Sequence, residues 1–303
     1  MKYNLSKEQV NKYNKDGYII IENVIDQNFL NELNHATDRM LKAAKLVNKS
    51  NDQFDLAPNH SSENPSVRRI KQPQKYDEVF KKLLFYPSII QKVISLLGNN
   101  FRLHNGKMNL KSPSAGDLVD WHQDWAFYPH SNDDVLAVGV MLDDMTLDNG
   151  TVLFVPESHK GEVYDHHHNG CFAGAIDIKK SNIDLSNAKE VIGKAGTITI
   201  HHARLLHASK PNKSKSNRKF LLWEFAANDA WPLMGINNYE EFNKKIISGS
   251  VVNTPRLSNV PVRMPLPAAI NQGSIFENQK TITKNKDNII KKYLYVILNN
   301  KFA

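Results

Sequence analysis

Nine short segments with the residue pattern of β-strands follow one another between residues 101 and 225, and this succession constrains the fold most. The segments are separated by turn signals such as Asp148-Asn149-Gly150 and Lys194-Ala195-Gly196. The predicted strands span residues 101–111, 117–122, 134–142, 151–155, 171–177, 188–192, 197–201, 205–209 and 218–225. Many short strands spaced in this way predict a mainly β structure, built as a sandwich or a barrel.

Helices are predicted on both sides of this β region. Ser6 caps a helix that runs to residue 14, with Gln9 placed for a capping box, and Asp26 caps a longer amphipathic helix that reaches about Lys45. Residues 18–21 are predicted as a strand, and the Asn-rich residues 49–66 as a loop. Further helices are predicted over residues 76–85, 87–97, 239–247 and 287–299.

No internal repeat and no linker rich in Gly, Ser or Pro divides the chain. We therefore expect one domain over residues 1–303. It would consist of a mainly helical part (1–98), a β core (99–226) and a C-terminal packing segment (227–303).

Composition argues against several classes of protein. The net charge is +8, but 31 of the 39 basic residues are lysines scattered among Asp, Glu and Asn, so no nucleic-acid partner is expected. The single cysteine, Cys171, allows no intrachain disulfide, which favours a reduced compartment such as the cytoplasm. The first twenty residues lack the apolar core of a signal peptide, and no apolar run approaches the roughly 20 residues that span a bilayer. The oligomeric state is left open.

A His-x-Asp pair, His122 and Asp124, ends one of the predicted strands. Residues two apart in an extended chain project to the same side, so the imidazole and the carboxylate converge on one point. A second histidine from a distant strand would complete a facial triad, the ligand set that leaves open positions on Fe(II). Such a pair is common by chance, so the surrounding motifs decide its meaning.

Those motifs resemble the phytanoyl-CoA dioxygenase-like family of Fe(II)- and 2-oxoglutarate-dependent oxygenases. Besides the His-Gln-Asp segment, the chain has an Asn149-Gly150 turn before an apolar strand and a Pro-x-Ser-His-Lys-Gly segment at residues 156–161. His207 is followed by Asn212 and, eleven residues on, by Arg218. The likeness covers residues 10–230 and implies a double-stranded β-helix, the jelly roll of cupin-like proteins.

The resemblance also assigns functional residues. It implies that His122, Asp124 and His207 bind Fe(II), and that Arg218 pairs with the distal carboxylate of 2-oxoglutarate. A planar, permanently charged arginine fork suits a buried carboxylate better than lysine does.

Further co-substrate contacts follow from the same resemblance. Ser209 matches a family position whose hydroxyl binds the distal carboxylate, and Asn109 matches a co-substrate contact of some members. Lys107 and Lys111 share the strand face of Asn109 and are weaker candidates.

Aromatic residues after the aspartate wall the substrate cavity in this family, which makes Trp125 and Tyr128 candidate substrate contacts. Packing in the core is the default role for such residues. The other histidines are predicted outside the metal site. Residues 166–168 are expected in a solvated loop, and His201 and His202 in structural roles.

The implied activity uses Fe(II), 2-oxoglutarate and O₂, releases succinate and CO₂, and hydroxylates an unactivated C–H bond of a small molecule. Two alternatives stay open at this point. A cupin-like metal-dependent hydrolase or isomerase would leave Arg218 and Ser209 without a role. A ligand-binding or sensing relative without turnover would keep the same residues.

Overall fold

Helices precede and follow a region that is mainly β-strand in the described part of the chain, which is residues 3–113, 118–268 and 274–283 of a computed structural model. The strands are β1 (Tyr18–Ile21), β2 (Phe54–Leu56), β3 (Val67–Lys71), β4 (Phe101–Lys111), β5 (Val119–His122), β6 (Val135–Met141), β7 (Val152–Phe154), β8 (His167–His168), β9 (Cys171–Phe172), β10 (Lys189–Val191), β11 (Ile198–His202), β12 (His207–Ser209), β13 (Arg218–Ala227) and β14 (Ile246–Ser248). The helices are α1 (Lys7–Asp16), α2 (Gln27–Ala44), α3 (Glu78–Leu84), α4 (Pro87–Leu97), α5 (Ile178–Ser181), α6 (Tyr239–Lys244) and α7 (Ile275–Thr283).

Two antiparallel sheets and a short ribbon account for these strands. The larger sheet has the order β1-β11-β6-β13-β4-β3-β2, with β14 paired to β4, and the smaller has the order β10-β7-β12-β5. The ribbon is formed by β8 and β9. The chain crosses between sheets repeatedly, as in a jelly roll. The predicted double-stranded β-helix with flanking helices is confirmed, in the form of two sheets that do not close into a barrel.

Side chains on the two faces of β13 have different roles: one face packs in the apolar core and the other lines a cavity. Leu221, Trp223 and Phe225 belong to a large apolar cluster that also holds residues of α2, α3 and α4. Phe220 and Leu222, on the other face of the strand, line a cavity to which both sheets contribute. From the neighbouring β4, the residues that line this cavity are Lys107, Asn109 and Lys111.

Most of the predicted elements are confirmed where local signals are strong. Ser6 and Gln9 form the expected capping box of α1. Helix α4 runs from Pro87 to Leu97, and the backbone N–H of Gly98 donates to the carbonyl of Ile94 at its end.

Strands β2 and β3 depart from the sequence prediction, which placed residues 49–66 in a loop and no element over residues 67–71. The side chain of Asn51 accepts hydrogen bonds from the backbone N–H groups of Gln53 and Phe54 and shapes the turn before β2. Strand β3 forms because its backbone pairs with β4 on one side and with the edge strand β2 on the other.

Two other predictions differ in extent, and a third is not tested. Only Cys171 and Phe172 of residues 171–177 form a strand, and the helix predicted over 239–247 ends at Lys244 and is followed by β14. The helix predicted over residues 287–299 lies outside the described residues. Among the helices that the structure describes, none is both long and apolar enough to cross a membrane.

Candidate active site

Two neighbouring strands bring the predicted metal ligands together. Strands β5 and β12 pair with His122 directly opposite His207, and Asp124 begins the 3-10 turn after β5. The two imidazole centroids lie 4.0 Å apart. One ligand atom from each of the three buried side chains lies within 4.8 Å of the other two. Within the described ranges, no other group of three or more His, Cys, Asp or Glu residues is arranged in this way.

Hydrogen bonds decide which nitrogen of each histidine faces the metal position. Nδ1 of His122 donates to the carbonyl of Asp120 at 2.8 Å, and Nδ1 of His207 donates to the carbonyl of Leu205 at 2.9 Å. A carbonyl only accepts, so both rings carry their proton on Nδ1 and present the lone pair of Nε2. These Nε2 atoms lie 3.8 Å and 3.9 Å from Oδ1 of Asp124.

Protonation states in the site suit a divalent cation. Desolvation, together with the neighbouring His207, lowers the pKa of His122 well below its ordinary value. Desolvation lowers the pKa of His207 to about 4, against the opposing effect of the Asp124 charge. Burial on its own raises the pKa of Asp124, but contact with His201 and the charges of His207, Lys107 and His122 outweigh it and hold that pKa well below its usual range. Neutral imidazoles and an ionised carboxylate are the forms that bind metal.

His201 also belongs to this site, although the sequence predicted only a structural role for it. It lies on β11 in the larger sheet, and its Nε2 is 3.5 Å from Oδ2 of Asp124. One carboxylate oxygen therefore faces the two predicted histidine ligands and the other faces His201. Partners of this kind fix the orientation of a metal-binding carboxylate.

The guanidinium of Arg218 lines the same cavity with most of its hydrogen-bonding capacity unused. The residue is 2% exposed, and its Nη2 donates to the carbonyl of Gly150 at 3.0 Å. Its Nε and Nη1 have no partner among the residues that the structure describes. Burial lowers the pKa of Arg218 to about 10, so the group stays charged at neutral pH. A buried cation with open donors matches the carboxylate that the sequence predicted for it.

The other predicted co-substrate residues also line the cavity. The Ser209 hydroxyl accepts a hydrogen bond from Nζ of Lys111 at 2.8 Å. The side-chain oxygen of Asn109 accepts one from Nε of Arg69 at 3.3 Å. Arg69, on β3, was not predicted from sequence, and its guanidinium lies in the cavity with the metal ligands.

A buried ion pair lies on one side of the metal position. Nζ of Lys107 is 2.6 Å from Oε1 of Glu224, which is 1% exposed. Tyr128 is close to this pair. Burial, followed by the charges of Asp124 and Glu224, raises the pKa of its hydroxyl well above the ordinary value, so Tyr128 stays protonated.

Trp125, the other predicted substrate contact, has a different environment. It is fully buried in an apolar cluster with Val135 and Ala203, and its Nε1 donates to the carbonyl of Pro261 at 2.9 Å. Neither Trp125 nor Tyr128 is among the residues that line the cavity of the metal ligands, and Tyr128 lines a separate pocket with His104 and Pro232.

The solvated loop predicted for residues 166–168 is wrong for His166, which is buried. Its Nδ1 donates to the carbonyl of Tyr164, and its Nε2 accepts from the backbone N–H of Gln123, both at 2.8 Å. Desolvation lowers the pKa of His166 to about 4, which keeps the acceptor nitrogen unprotonated. His166 thus braces the backbone between His122 and Asp124.

Comparison with known proteins gives a family and several relatives. The family model described as phytanoyl-CoA dioxygenase (PhyH) matches residues 13–220. A Stutzerimonas stutzeri protein, named as a probable alpha-ketoglutarate-dependent hypophosphite dioxygenase, is 37% identical over 283 residues, which is 91% of this chain and 98% of that protein. The ectoine dioxygenase of Bordetella bronchiseptica is 23% identical over 69% of this chain and 71% of its own length.

Solved structures share the fold. The crystal structure of EctD from S. alaskensis with bound Fe has a TM-score of 0.66 and 20% identity, and the match covers 83% of this chain and 88% of that one. The alpha-ketoglutarate-dependent carbocyclase SnoK has a TM-score of 0.61 and 20% identity, over 84% and 97% of the two chains.

Proposed function

This chain belongs to the phytanoyl-CoA dioxygenase family and is a 2-oxoglutarate-dependent dioxygenase, and from that premise we propose that it oxidises a small oxyanion such as hypophosphite. The observation that carries the proposal is the charge of the cavity. Among the described residues that line it, four are cationic and one, Asp124, is anionic. The cations are Arg69, Lys107, Lys111 and Arg218.

Fe(II) and 2-oxoglutarate fit the residues that are present. The two Nε2 lone pairs and the Asp124 carboxylate form a facial ligand set, and the open donors of Arg218 suit the distal carboxylate of 2-oxoglutarate. When bound, the iron and 2-oxoglutarate supply the oxidising power by splitting O₂, with succinate and CO₂ as co-products. The protein binds and orients the reactants and limits the access of water.

Charge balance favours an anionic substrate. A dicarboxylate co-substrate neutralises part of the positive charge, and Glu224 neutralises Lys107. Arg69 then remains as a further cation in a cavity of low dielectric, and the carboxylate nearest to it, that of Asp55 at 3.8 Å, is shared with Lys71. A monovalent oxyanion would compensate it. The most similar relative named above is, by its name, a hypophosphite dioxygenase, which agrees with this charge pattern.

Helix α7 closes part of the cavity, which favours a small substrate over an acyl-CoA thioester. Ile275 and Phe276 of α7 line the cavity. Helix α7 is attached to the rest of the site, because Gln279 accepts from the backbone N–H of Asp120 at 3.2 Å and donates to the carbonyl of Gly174 at 3.0 Å.

In the proposed reaction one P–H bond of hypophosphite becomes a P–OH bond. Hypophosphite, 2-oxoglutarate and O₂ give phosphite, succinate and CO₂, with one oxygen atom of O₂ in phosphite and the other in succinate. Phosphorus is oxidised by two electrons, and the decarboxylation of 2-oxoglutarate supplies the other two that O₂ needs. Hydroxylation of an unactivated C–H bond would use the same protein residues and stays a prediction.

A substrate panel tests the proposal. The protein is loaded anaerobically with Fe(II) and 2-oxoglutarate and exposed to O₂ with hypophosphite, phosphite, L-proline, ectoine or phytanoyl-CoA. We expect hypophosphite to raise succinate formation above the substrate-free rate, with ³¹P NMR showing one phosphite per succinate. With ¹⁸O₂, phosphite should gain one labelled oxygen. If an organic compound stimulates turnover and hypophosphite does not, the proposal is wrong.

A further inference from the structure

We propose that Arg69 is the residue that binds the anionic substrate, an inference that rests on the proposed function and assigns its specificity to one side chain. Arg69 lies on β3, directly opposite Asn109 of β4, which in turn is opposite Phe220 of β13. This register carries the row of cavity-facing residues one strand beyond the predicted co-substrate contacts. The guanidinium therefore lines the cavity next to Asn109, one strand beyond the residues predicted for 2-oxoglutarate.

The contacts of Arg69 fix one edge of the guanidinium and leave the other open. Its Nε donates to the side-chain oxygen of Asn109 at 3.3 Å and lies 3.8 Å from Oδ2 of Asp55. Its terminal nitrogens make no hydrogen bond within the described part of the chain. Phe276 packs beside the group, with its ring centroid 5.7 Å from Cζ of Arg69. A planar guanidinium that is held at Nε can donate hydrogen bonds from its two terminal nitrogens to the two oxygens of an oxyanion.

With 2-oxoglutarate bound as predicted, Arg69 would be the one of the four cavity cations whose nearest carboxylate is shared with another cation. Lys107 has Glu224 at 2.6 Å. Lys111 and Arg218 are register partners two residues further along β4 and β13, beside Ser209, where the carboxylate of 2-oxoglutarate is expected. The carboxylate nearest Arg69, Asp55, lies closer to Lys71, whose Nζ is 3.3 Å from Oδ1.

Asp55 also explains why the open guanidinium is tolerated. Asp55 faces Arg69 across β2 and β3 and holds the positive charge without covering its donors. Because Lys71 also pairs with Asp55, removal of Arg69 would not leave this carboxylate without a partner. Variants at Arg69 should therefore fold.

The test compares Arg69→Gln, Arg69→Lys and, as a control, Arg39→Gln, which removes the same charge from an exposed position of α2 outside the cavity lining. The probe is hypophosphite, titrated into the anaerobic complex with Fe(II) and 2-oxoglutarate and followed by the change in the metal-to-ligand charge-transfer band. The same band gives the 2-oxoglutarate dissociation constant. Succinate and phosphite yields are measured in parallel.

For Arg69→Gln we expect the hypophosphite dissociation constant to rise about 10- to 100-fold, as for loss of a charged hydrogen-bond partner. The 2-oxoglutarate constant should change less than about twofold, and succinate should form without matching phosphite. Arg69→Lys should recover part of the affinity, because an ammonium keeps the charge but not the fork. Arg39→Gln should match the parent.

Two results would overturn the inference while the proposed function stands. One is an Arg69→Gln protein that binds hypophosphite as tightly as the parent. The other is a loss that falls on 2-oxoglutarate instead, which would make Arg69 a co-substrate residue. A parent protein that does not respond to hypophosphite refutes the proposed function itself, and this inference with it.

Discussion

The ammonium group of Lys111 donates a hydrogen bond of 2.8 Å to the hydroxyl of Ser209. Lys111 is also the direct partner of Arg218 across β4 and β13. Because the Ser209 oxygen accepts from a cation, its own proton is available to an anion in the cavity. Two cations and one polarised hydroxyl thus converge where the distal carboxylate of 2-oxoglutarate was predicted from the His207 to Arg218 spacing.

Arg218→Ala should weaken 2-oxoglutarate binding about 10- to 100-fold, because a charge-assisted hydrogen bond contributes roughly 1.5–3 kcal/mol. Arg218→Lys should recover part of the loss, since one ammonium does not reproduce the fork. Ser209→Ala should cost less, on the order of 1 kcal/mol. The measurement is the dissociation constant of 2-oxoglutarate in the anaerobic Fe(II) complex. Unchanged binding by Arg218→Ala would assign the anchor to Lys111 instead.

Replacement of His122, Asp124 or His207 by Ala should abolish stoichiometric Fe(II) binding and turnover, because each removes one of three ligands. The fold should survive, since all three side chains lie at the cavity and not in the large apolar cluster. His35→Ala, at an exposed position of α2, is the control. Iron content after desalting gives the result, with circular dichroism as the check on folding. A triad variant that kept one iron per chain would disprove the ligand assignment.

His201→Ala should lower Fe(II) affinity about 10- to 100-fold without abolishing it, the usual effect of losing a partner that orients a metal ligand. The reason is the 3.5 Å contact between Nε2 of His201 and Oδ2 of Asp124. Competition with a chelator of known affinity measures the change. If the loss equals that of Asp124→Ala, His201 is a ligand and not a positioning residue.

Acid should destabilise the metal-free protein between about pH 6.5 and pH 4. Burial lowers the pKa of each of four histidines, to about 4 for His166 and His207 and to about 3 for His130 and His202. In the unfolded chain a histidine titrates near pH 6.5, so below that pH the unfolded state takes up protons that the folded state does not. The stabilisation is complete above pH 6.5 and is lost as the pH falls towards the folded values. One shift of this size corresponds to about 3 kcal/mol.

Denaturant unfolding of chelator-treated protein at pH 7.5, 6.0, 5.0 and 4.5 measures this slope. His166→Asn should reduce the slope, whereas His35→Asn, at an exposed position, should leave it unchanged. A free energy of unfolding that is constant over this range would contradict the buried neutral histidines.

The sequence predicted those parts of the molecule that depend on neighbours along the chain. Pro87 and Gly98 bound α4 because one residue suits the first turn of a helix and the other its end. The pair His122 and Asp124 is also local, since a strand end projects both side chains to one side. The remaining predicted ligand, His207, came from the order of motifs in the family that the sequence resembles.

Contacts between distant strands could not be predicted from the sequence. Strand β3, with the sequence Val-Arg-Arg-Ile-Lys, carries three charges in five residues and lacks a clear apolar alternation, so it forms only by pairing with β4. Arg69 was missed for that reason. His201 was missed because its partner, Asp124, follows a strand of the other sheet, and sequence spacing does not show which residues face each other between sheets.

Phe276→Ala should loosen substrate binding and uncouple turnover. The Phe276 ring lines the cavity, and its centroid lies 5.3 Å from Cζ of Arg68 and 5.7 Å from Cζ of Arg69. A cation–π contact contributes about 0.5–2 kcal/mol, so the hypophosphite dissociation constant should rise about 2- to 30-fold. Loss of the ring also admits water to the cavity, so more succinate should form per phosphite.

Phe276→Leu keeps an apolar wall without the π face and separates these two effects. It should weaken hypophosphite binding while it preserves most of the coupling between succinate and phosphite. Phe85→Ala, at a half-exposed position after α3, is the control for loss of a phenyl ring elsewhere. The readouts are the hypophosphite dissociation constant in the anaerobic complex and the ratio of succinate to phosphite under O₂. If Phe276→Ala keeps both at the parent values, α7 packs over the cavity without shaping it, and the argument from cavity size for a small substrate loses its support.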